Sequence, residues 1–273
     1  MKRQLDTDEV IYHVKLSKNN LQGAKSAILP GDPGRVHVIA KHLDSNYIPL
    51  SHNREYCSAL VDLNGEKVVV CSTGIGGPST AIAIEELAML GVENFIRIGT
   101  TGAIQPSINI GDIIISSSAV RLDGASYHYA PAEYPAVADF RLTMALTQAA
   151  KELGIDVRLG ITASSDTFYP GQERYDSFSG YVRKHYQGSL EEWQKLHVLN
   201  YEMEAATLFV VCSSLGLKAA SIYTVLANRI QSEKPDKSRY QNSLNHCIDI
   251  IKQALTLEHK HRCENEIQDL VTQ

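Results

Sequence analysis

The sequence predicts an α/β protein of three layers (αβα), with helices covering both faces of a central sheet. Three observations lead there. Short apolar runs of strand character alternate with helical stretches along the whole chain. One of those helical stretches, Thr80–Leu90, is apolar nearly all round, with only Glu85 and Glu86 charged, and therefore needs cover on every side. A length of 273 residues at 44% hydrophobic content suits one large core, so residues 1–273 are read as a single domain.

Taken in order, residues 1–21 are polar and mixed and form an N-terminal arm, although Ile11-Tyr12-His13-Val14 has enough apolar content to dock. Ser26–Leu29 is a short strand closed by Pro30-Gly31-Asp32-Pro33-Gly34-Arg35, a rigid turn with exposed N–H groups. Val36–His42 follows as a helix. Val68–Cys71 is a continuous apolar strand, Ser72–Ser79 a glycine turn, and Thr80–Leu90 the buried helix. Asn94–Ile98 is a strand that runs into a polar loop at Gly99-Thr100-Thr101-Gly102, and Asp112–Val120 is another strand. Asp139–Leu153 is amphipathic, with Leu142, Ala145, Leu146, Ala149 and Leu153 on one face and Gly154 as its stop. Leu159–Ser164 is a strand, and Phe168–Leu199 is a long irregular stretch of the kind that usually carries function. Asn200–Glu204 opens a helix through Ser214, Ala219–Ala227 is the last strand, and Ser243–Leu257 the last helix, with Leu244, Ile248, Ile251 and Leu255 facing inward. Residues 258–273 are charged and read as a flexible tail.

Composition excludes several functions. The net charge of −5 and the absence of lysine or arginine runs leave no nucleic-acid footprint. No apolar run reaches membrane-spanning length and the N-terminus is too polar for a signal peptide, so a cytoplasmic protein is expected. The five cysteines are scattered, mostly in apolar contexts, and read as buried reduced thiols. The histidines show no catalytic metal spacing.

Arg97 interrupts the apolar Asn94–Ile98 strand with a charge that cannot stay unpartnered there. The glycines and hydroxyls that follow let N–H and O–H groups converge as they do around an oxyanion. Taken alone, Arg97 fits a structural ion pair equally well. The strand, glycine turn and helix around residue 75 invite a dinucleotide reading. It fails because the third glycine of G-x-G-x-x-G falls at Ser79 and no acidic residue follows a second strand at a suitable place.

Four segments taken together are more specific: Ile28–Arg35, Ser72–Ser79, Arg97–Gly102 and Asn200-Tyr201-Glu202-Met203-Glu204-Ala205. In order and spacing they resemble the nucleoside phosphorylase family that forms trimers and hexamers, and within it the bacterial branch that acts on uridine. The resemblance spans about His13 to Gln253. It implies a nucleoside-phosphorylase-like fold with a mixed central sheet, and reversible phosphorolysis of uridine to uracil and ribose 1-phosphate in pyrimidine salvage.

It also implies roles. Gly31, Arg35, Arg97 and Thr100 match the phosphate site, with Arg54 reaching in from a neighbouring subunit. Met203, Glu204 and Arg97 match ribose contacts, and a neighbour's His13 the 5′-hydroxyl contact. Phe168 matches a ring that stacks on the base, Gln172 and Arg174 the pair that bonds the uracil edge, and Thr101 and Gly102 the lining of the same pocket. Arg97, Gln172, Arg174 and Glu204 thus carry the chemistry.

The chemistry of these side chains suits the roles, since a carboxylate accepts from vicinal hydroxyls and an amide with a guanidinium complements two carbonyls and an N–H. Read alone, Glu202 and Glu204 equally suit the first turn of a helix, and Gln172 and Arg174 a loop surface. A hexamer built as a trimer of dimers is implied, with a monovalent cation such as K+ held between subunits by Glu55, the Ile75 carbonyl and Ser79, and no organic cofactor. Family members that act on purines carry an aspartate after the last core strand, where this chain has Leu226-Ala227-Asn228-Arg229-Ile230.

The stretch Ser51-His52-Asn53-Arg54-Glu55 is one residue longer than the family pattern, which implies a bulge there. Two other classes stay open: a nucleoside hydrolase, which should lack the full set of phosphate arginines, and a non-catalytic binding or storage relative, which should have lost catalytic side chains.

Overall fold

In the computed structural model, residues 5–231 and 237–271 are described, with side chains over 5–231 and 239–260. In chain order the elements are α1 (Lys18–Leu21), β1 (Ser26–Pro30), α2 (Val36–Leu43), β2 (Ile48–Asn53), β3 (Tyr56–Leu63), β4 (Glu66–Cys71), α3 (Gly77–Met89), β5 (Asn94–Ala103), β6 (Ile113–Leu122), β7 (Ala136–Val137), α4 (Phe140–Glu152), β8 (Val157–Ser165), α5 (Ser189–Lys195), β9 (Asn200–Glu202), α6 (Ala205–Ser214), β10 (Lys218–Asn228) and α7 (Lys237–Val271).

All strands belong to one mixed sheet in the order β10-β6-β8-β9-β5-β1-β4-β3-β2, with β7 on the edge of β6. β10 also pairs parallel with β5, so β5, β10, β6, β8 and β9 close into a ring while β1, β4, β3 and β2 continue as an open sheet. The period of two along each strand separates two cores. Leu29, Val69, Phe95 and Tyr223 pack against α3, α6 and the N-terminal segment. Ile28, Val68, Val70, Ile96 and Ile98 pack against α2, α4 and α7. Helices therefore cover both faces, as the alternation of elements predicts.

The same period places Arg97 with Phe95 on the α3/α6 side. There the end of β9 and the N-terminus of α6 supply one carboxylate each, Glu202 and Glu204.

Several boundaries differ from the sequence reading, each because tertiary pairing outweighs a local signal. Gly99–Gly102 is not a loop: β5 runs on to Ala103 because β10 pairs with it along its length, from Lys218↔Asn94 to Asn228↔Ala103. Asn200–Glu202 is a strand wedged between β5 and β8, and the helix starts only at Ala205. The arm is not peripheral, because Leu5, Ile11, Val14, Leu16 and Leu21 are buried in the α3/α6 core. The β2–β3 hairpin was not anticipated. Its two-residue turn is Arg54-Glu55, with Arg54 at φ 55°, and its extra residue is taken up by a register shift between Pro49 and His52.

The expected tail continues α7 to Val271 instead. Residues 258–271 contain no Pro or Gly to stop the helix, and His259 ties it to β4 through Glu66 at 2.7 Å.

Cys57, Cys71, Cys212 and Cys247 are free and buried, and burial pushes the Cys71 and Cys247 thiols up to about 12. The side chain of Cys263 lies outside those described. No helix among the described residues is long and apolar enough to cross a membrane.

Candidate active site

Strand ends and the loops after them surround a cleft of about 750 Å³. A parallel sheet directs its carboxyl-end loops to one side, which is where such folds collect ligands. Gly31, Arg35, Arg97, Thr100, Thr101, Gly102, Phe168, Gln172, Arg174, Met203 and Glu204 all line this cleft. A second cavity, of about 850 Å³, lies at the opposite end of the sheet between α4 and α7, away from every one of these residues.

Arg97 organises the floor. Its Nη2 donates to Glu204, and its Nε lies 3.3 Å from Glu202. Burial opposes the Arg97 charge, but Glu204, Tyr223 and Glu202 more than offset it and hold the guanidinium above its ordinary range. Nη1 is buried with no hydrogen-bond partner among the described residues, and it faces Gly31. A Cβ on Gly31 would stand 3.1 Å from the Gly74 carbonyl, so glycine lets the two turns approach closely, with Nη1 3.9 Å from the same point. A buried N–H aimed at a glycine turn, with Arg35 and Thr100 on the same wall, is the chemistry of an anion site.

The two carboxylates differ in what they have left to offer. Glu202 accepts from the Ser164 hydroxyl, from Tyr223 OH at 3.2 Å and from the N–H groups of Glu204 and Ala205, both at 2.9 Å. It is saturated, and it caps α6. Glu204 accepts from the Gly76 N–H at 2.6 Å and from Arg97, then faces the cleft. Burial pushes the Glu204 carboxyl up, Arg97 pulls it back in part, and the net direction is upward. Both acids line the cleft, but each Glu202 oxygen accepts at least two hydrogen bonds and each Glu204 oxygen one, so Glu204 has the greater capacity left for a ligand.

Across the cleft, Gln172 and Arg174 are both buried rather than on a loop surface. The Arg174 guanidinium lies 4.3 Å over the Phe168 ring. Thr101 has a more structural part than expected, because its hydroxyl donates to the Tyr201 carbonyl and accepts from Asn200, each at 2.6 Å.

Two groups of expected residues are not brought into the cleft. Arg54 is exposed at the β2–β3 turn. His13 is held by Glu86, which accepts from its Nδ1 at 2.6 Å and from the N–H groups of His13 at 3.0 Å and Val14 at 2.8 Å. Glu55 and Ser79 do come together, flanking Gly74, although Ser79 Oγ donates to the Ile75 carbonyl at 3.3 Å. One carboxylate, one carbonyl and one hydroxyl are hard oxygen donors of the type a monovalent cation takes.

Sequence reasoning passed over Tyr223 and Arg229. Tyr223 is fully buried in an apolar-looking strand and bonds Glu202, while a Cβ on Gly99 would lie 3.0 Å from its ring. Arg229 donates to the Gln172 carbonyl at 2.5 Å. Neither left a signal beyond its residue type: Tyr223 sits in the middle of β10 and Arg229 just past its end, and neither position says anything about its partner.

With this geometry established, similarity to known proteins narrows the class. Residues 25–256 match the phosphorylase superfamily, and the chain belongs to that family. It is 54% identical over 244 residues to uridine phosphorylase from Escherichia coli (strain K12), covering 89% of this chain and 96% of that protein. Uridine phosphorylase from Haemophilus influenzae is 55% identical over 241 residues, covering 88% and 95%. The enzyme of that name from the archaeon Thermococcus kodakarensis is 46% identical over 222 residues, covering 81% and 79%.

Proposed function

We propose that this protein catalyses the reversible phosphorolysis of uridine to uracil and ribose 1-phosphate. The observation that carries the reading is the divided Arg97 guanidinium. One edge is held by Glu204, and Nη1 is left facing Gly31, so a single side chain joins the sugar subsite to the anion subsite.

Phosphate binds against Gly31, Arg35, Arg97 and Thr100, and Glu204 accepts from the ribose hydroxyls beside Met203. A phosphate oxygen attacks C1′ as the C1′–N1 bond breaks. The new bond is C1′–O, and the electron pair of the old bond leaves on uracil. Gln172 and Arg174 donate to that anion, a charge that develops only as the bond breaks. Phosphate is pre-positioned by charge-assisted bonds of roughly 1.5–3 kcal/mol each, so no covalent enzyme intermediate is needed.

A purine leaving group is poorly served. The stretch Leu226–Ile230, where family members that act on purines carry an aspartate, holds no acid, and its Asn228 is buried and spends its amide on the Gln105 and Ile108 carbonyls at 2.9 and 2.7 Å.

His13 and Arg54 lie outside the cleft of their own chain, which supports a homo-oligomer in which a neighbour supplies both. A hexamer built as a trimer of dimers, one catalytic domain per chain, is the form we favour, with K+ completing its coordination across the interface at Glu55, Ile75 and Ser79. A cytoplasmic location fits the expected reduced thiols. The hydrolase and storage readings find no support in a cleft that keeps Arg35, Arg97, Gln172, Arg174 and Glu204 together.

Ultraviolet monitoring of uridine with purified protein tests the reading, since uracil release should require phosphate. Release without phosphate would mark a hydrolase, and no release at all a binding relative.

A further inference from the structure

Gln172 and Arg174 are separated by one residue, and that residue carries the strain of the loop. Glu173 sits at φ 52°, ψ 49°, the left-handed region that glycine or asparagine occupies more readily. Its carboxylate is fully committed. Oε1 accepts from the Gly188 N–H at 2.5 Å and Oε2 from the Leu190 N–H at 2.7 Å, one on each side of the first residue of α5. Tyr175 OH adds a weaker bond at 3.3 Å. From the other side Arg229 grips the backbone, donating to the carbonyls of Gln172 at 2.5 Å and Glu173 at 3.5 Å, with its own N–H tied to Ala103 at 2.9 Å in the β5 strand.

We infer that Glu173 is a positioning residue for base recognition: its two-pronged bond to the start of α5 holds the strained turn in which Gln172 and Arg174 converge on one edge of the pyrimidine. The inference rests on the assignment of those two side chains to the uracil edge. Backbone preference alone selects glycine or asparagine at such a φ, so a glutamate here is explained by the reach of its carboxylate. Without that bond the turn relaxes toward a common conformation, the flanking peptide planes rotate, and the side chains of Gln172 and Arg174 diverge.

Three variants test this by steady-state kinetics with uridine and phosphate varied separately, and by amide exchange at Gly188 and Leu190. Glu173→Ala removes the carboxylate. Glu173→Asn keeps a residue at ease with positive φ but is too short to reach both N–H groups. Glu173→Gln keeps the length and one acceptor oxygen. The expected result is a loss of about tenfold or more in kcat/KM for uridine in the Ala and Asn variants, an intermediate loss in Gln, and a phosphate KM within about twofold of the parent. Exchange at Gly188 and Leu190 should accelerate in step.

Parental kcat/KM for uridine in Glu173→Asn, or an equal loss of phosphate affinity, overturns the inference. If the parent protein fails to release uracil at all, the assignment of activity is what fails. The exchange measurement still decides whether the carboxylate holds the turn.

Discussion

The phosphate–ribose corner and the base wall of the same cleft are built in opposite ways. The corner is made of sheet and helix terminus: Arg97 on β5, Tyr223 on β10, Glu202 on β9 and Glu204 at the start of α6, all buried and bonded to one another. The base wall is made of connecting chain: Phe168, Gln172 and Arg174 lie between β8 and α5, and the turn is held by the Glu173 carboxylate and the Arg229 guanidinium. The difference teaches where each specificity resides. On the proposed assignment, the groups that meet sugar and anion belong to the core, where they are buried and bonded to one another, whereas those that meet the base are suspended from it by a few bonds to connecting chain.

Four substitutions probe that contrast. The largest effect is expected from Arg97→Ala, which strips the corner of its cation and leaves Glu202 and Glu204 buried without it. A loss of about 3–5 kcal/mol in stability is predicted from urea unfolding, together with a fall of at least ~10³-fold in kcat/KM. A variant that keeps parental stability while losing activity would show that the corner is less integral to the core than its partners suggest.

Glu204→Gln comes next, with a predicted loss of roughly 10²-fold in kcat/KM. The pH profile sharpens the test. Burial raises the Glu204 carboxyl above its ordinary value, and on the proposed role the ionised form is the one that accepts from the ribose, so activity should fall as the pH drops through the raised value. The acid limb should therefore lie above the usual carboxylate range in the parent and vanish in the variant.

Arg174→Ala belongs to the base wall. It should lower kcat for uridine by about 10–100-fold while leaving stability and the phosphate KM nearly unchanged. A defect confined to phosphate binding would contradict the division between the two regions.

The smallest effect is expected from Tyr223→Phe. Glu202 keeps three other hydrogen-bond donors, so loss of the 3.2 Å bond should cost about 1 kcal/mol in denaturant unfolding and at most a few-fold in kcat/KM.

The legibility of the two regions in the sequence also differs. Arg97 stood out because a charge inside an apolar strand demands an explanation, and Gly31 and Arg35 stood out because a turn with two prolines and two glycines is rare punctuation. Gln172 and Arg174 were invisible to periodicity and emerged only through resemblance to a family. Glu204 is set apart from Glu202 only by the same resemblance, since both are acids at the head of one helix. The β2–β3 hairpin and the helical continuation beyond Leu257 were passed over, because weak local signals are settled by what packs beside them.

The sequence by itself determined the order of elements and the two covered faces of the sheet. These follow from apolar spacing and the two-residue period of a strand, which are local properties. Only the tertiary structure decided which acid is spent and which stays open, where the strands close into a ring, and what holds the base wall in place. Hydrogen-bond saturation depends on groups distant along the chain: Ser164, Tyr223, Gly76 and Gly188 reach their carboxylates across separations that no local pattern encodes.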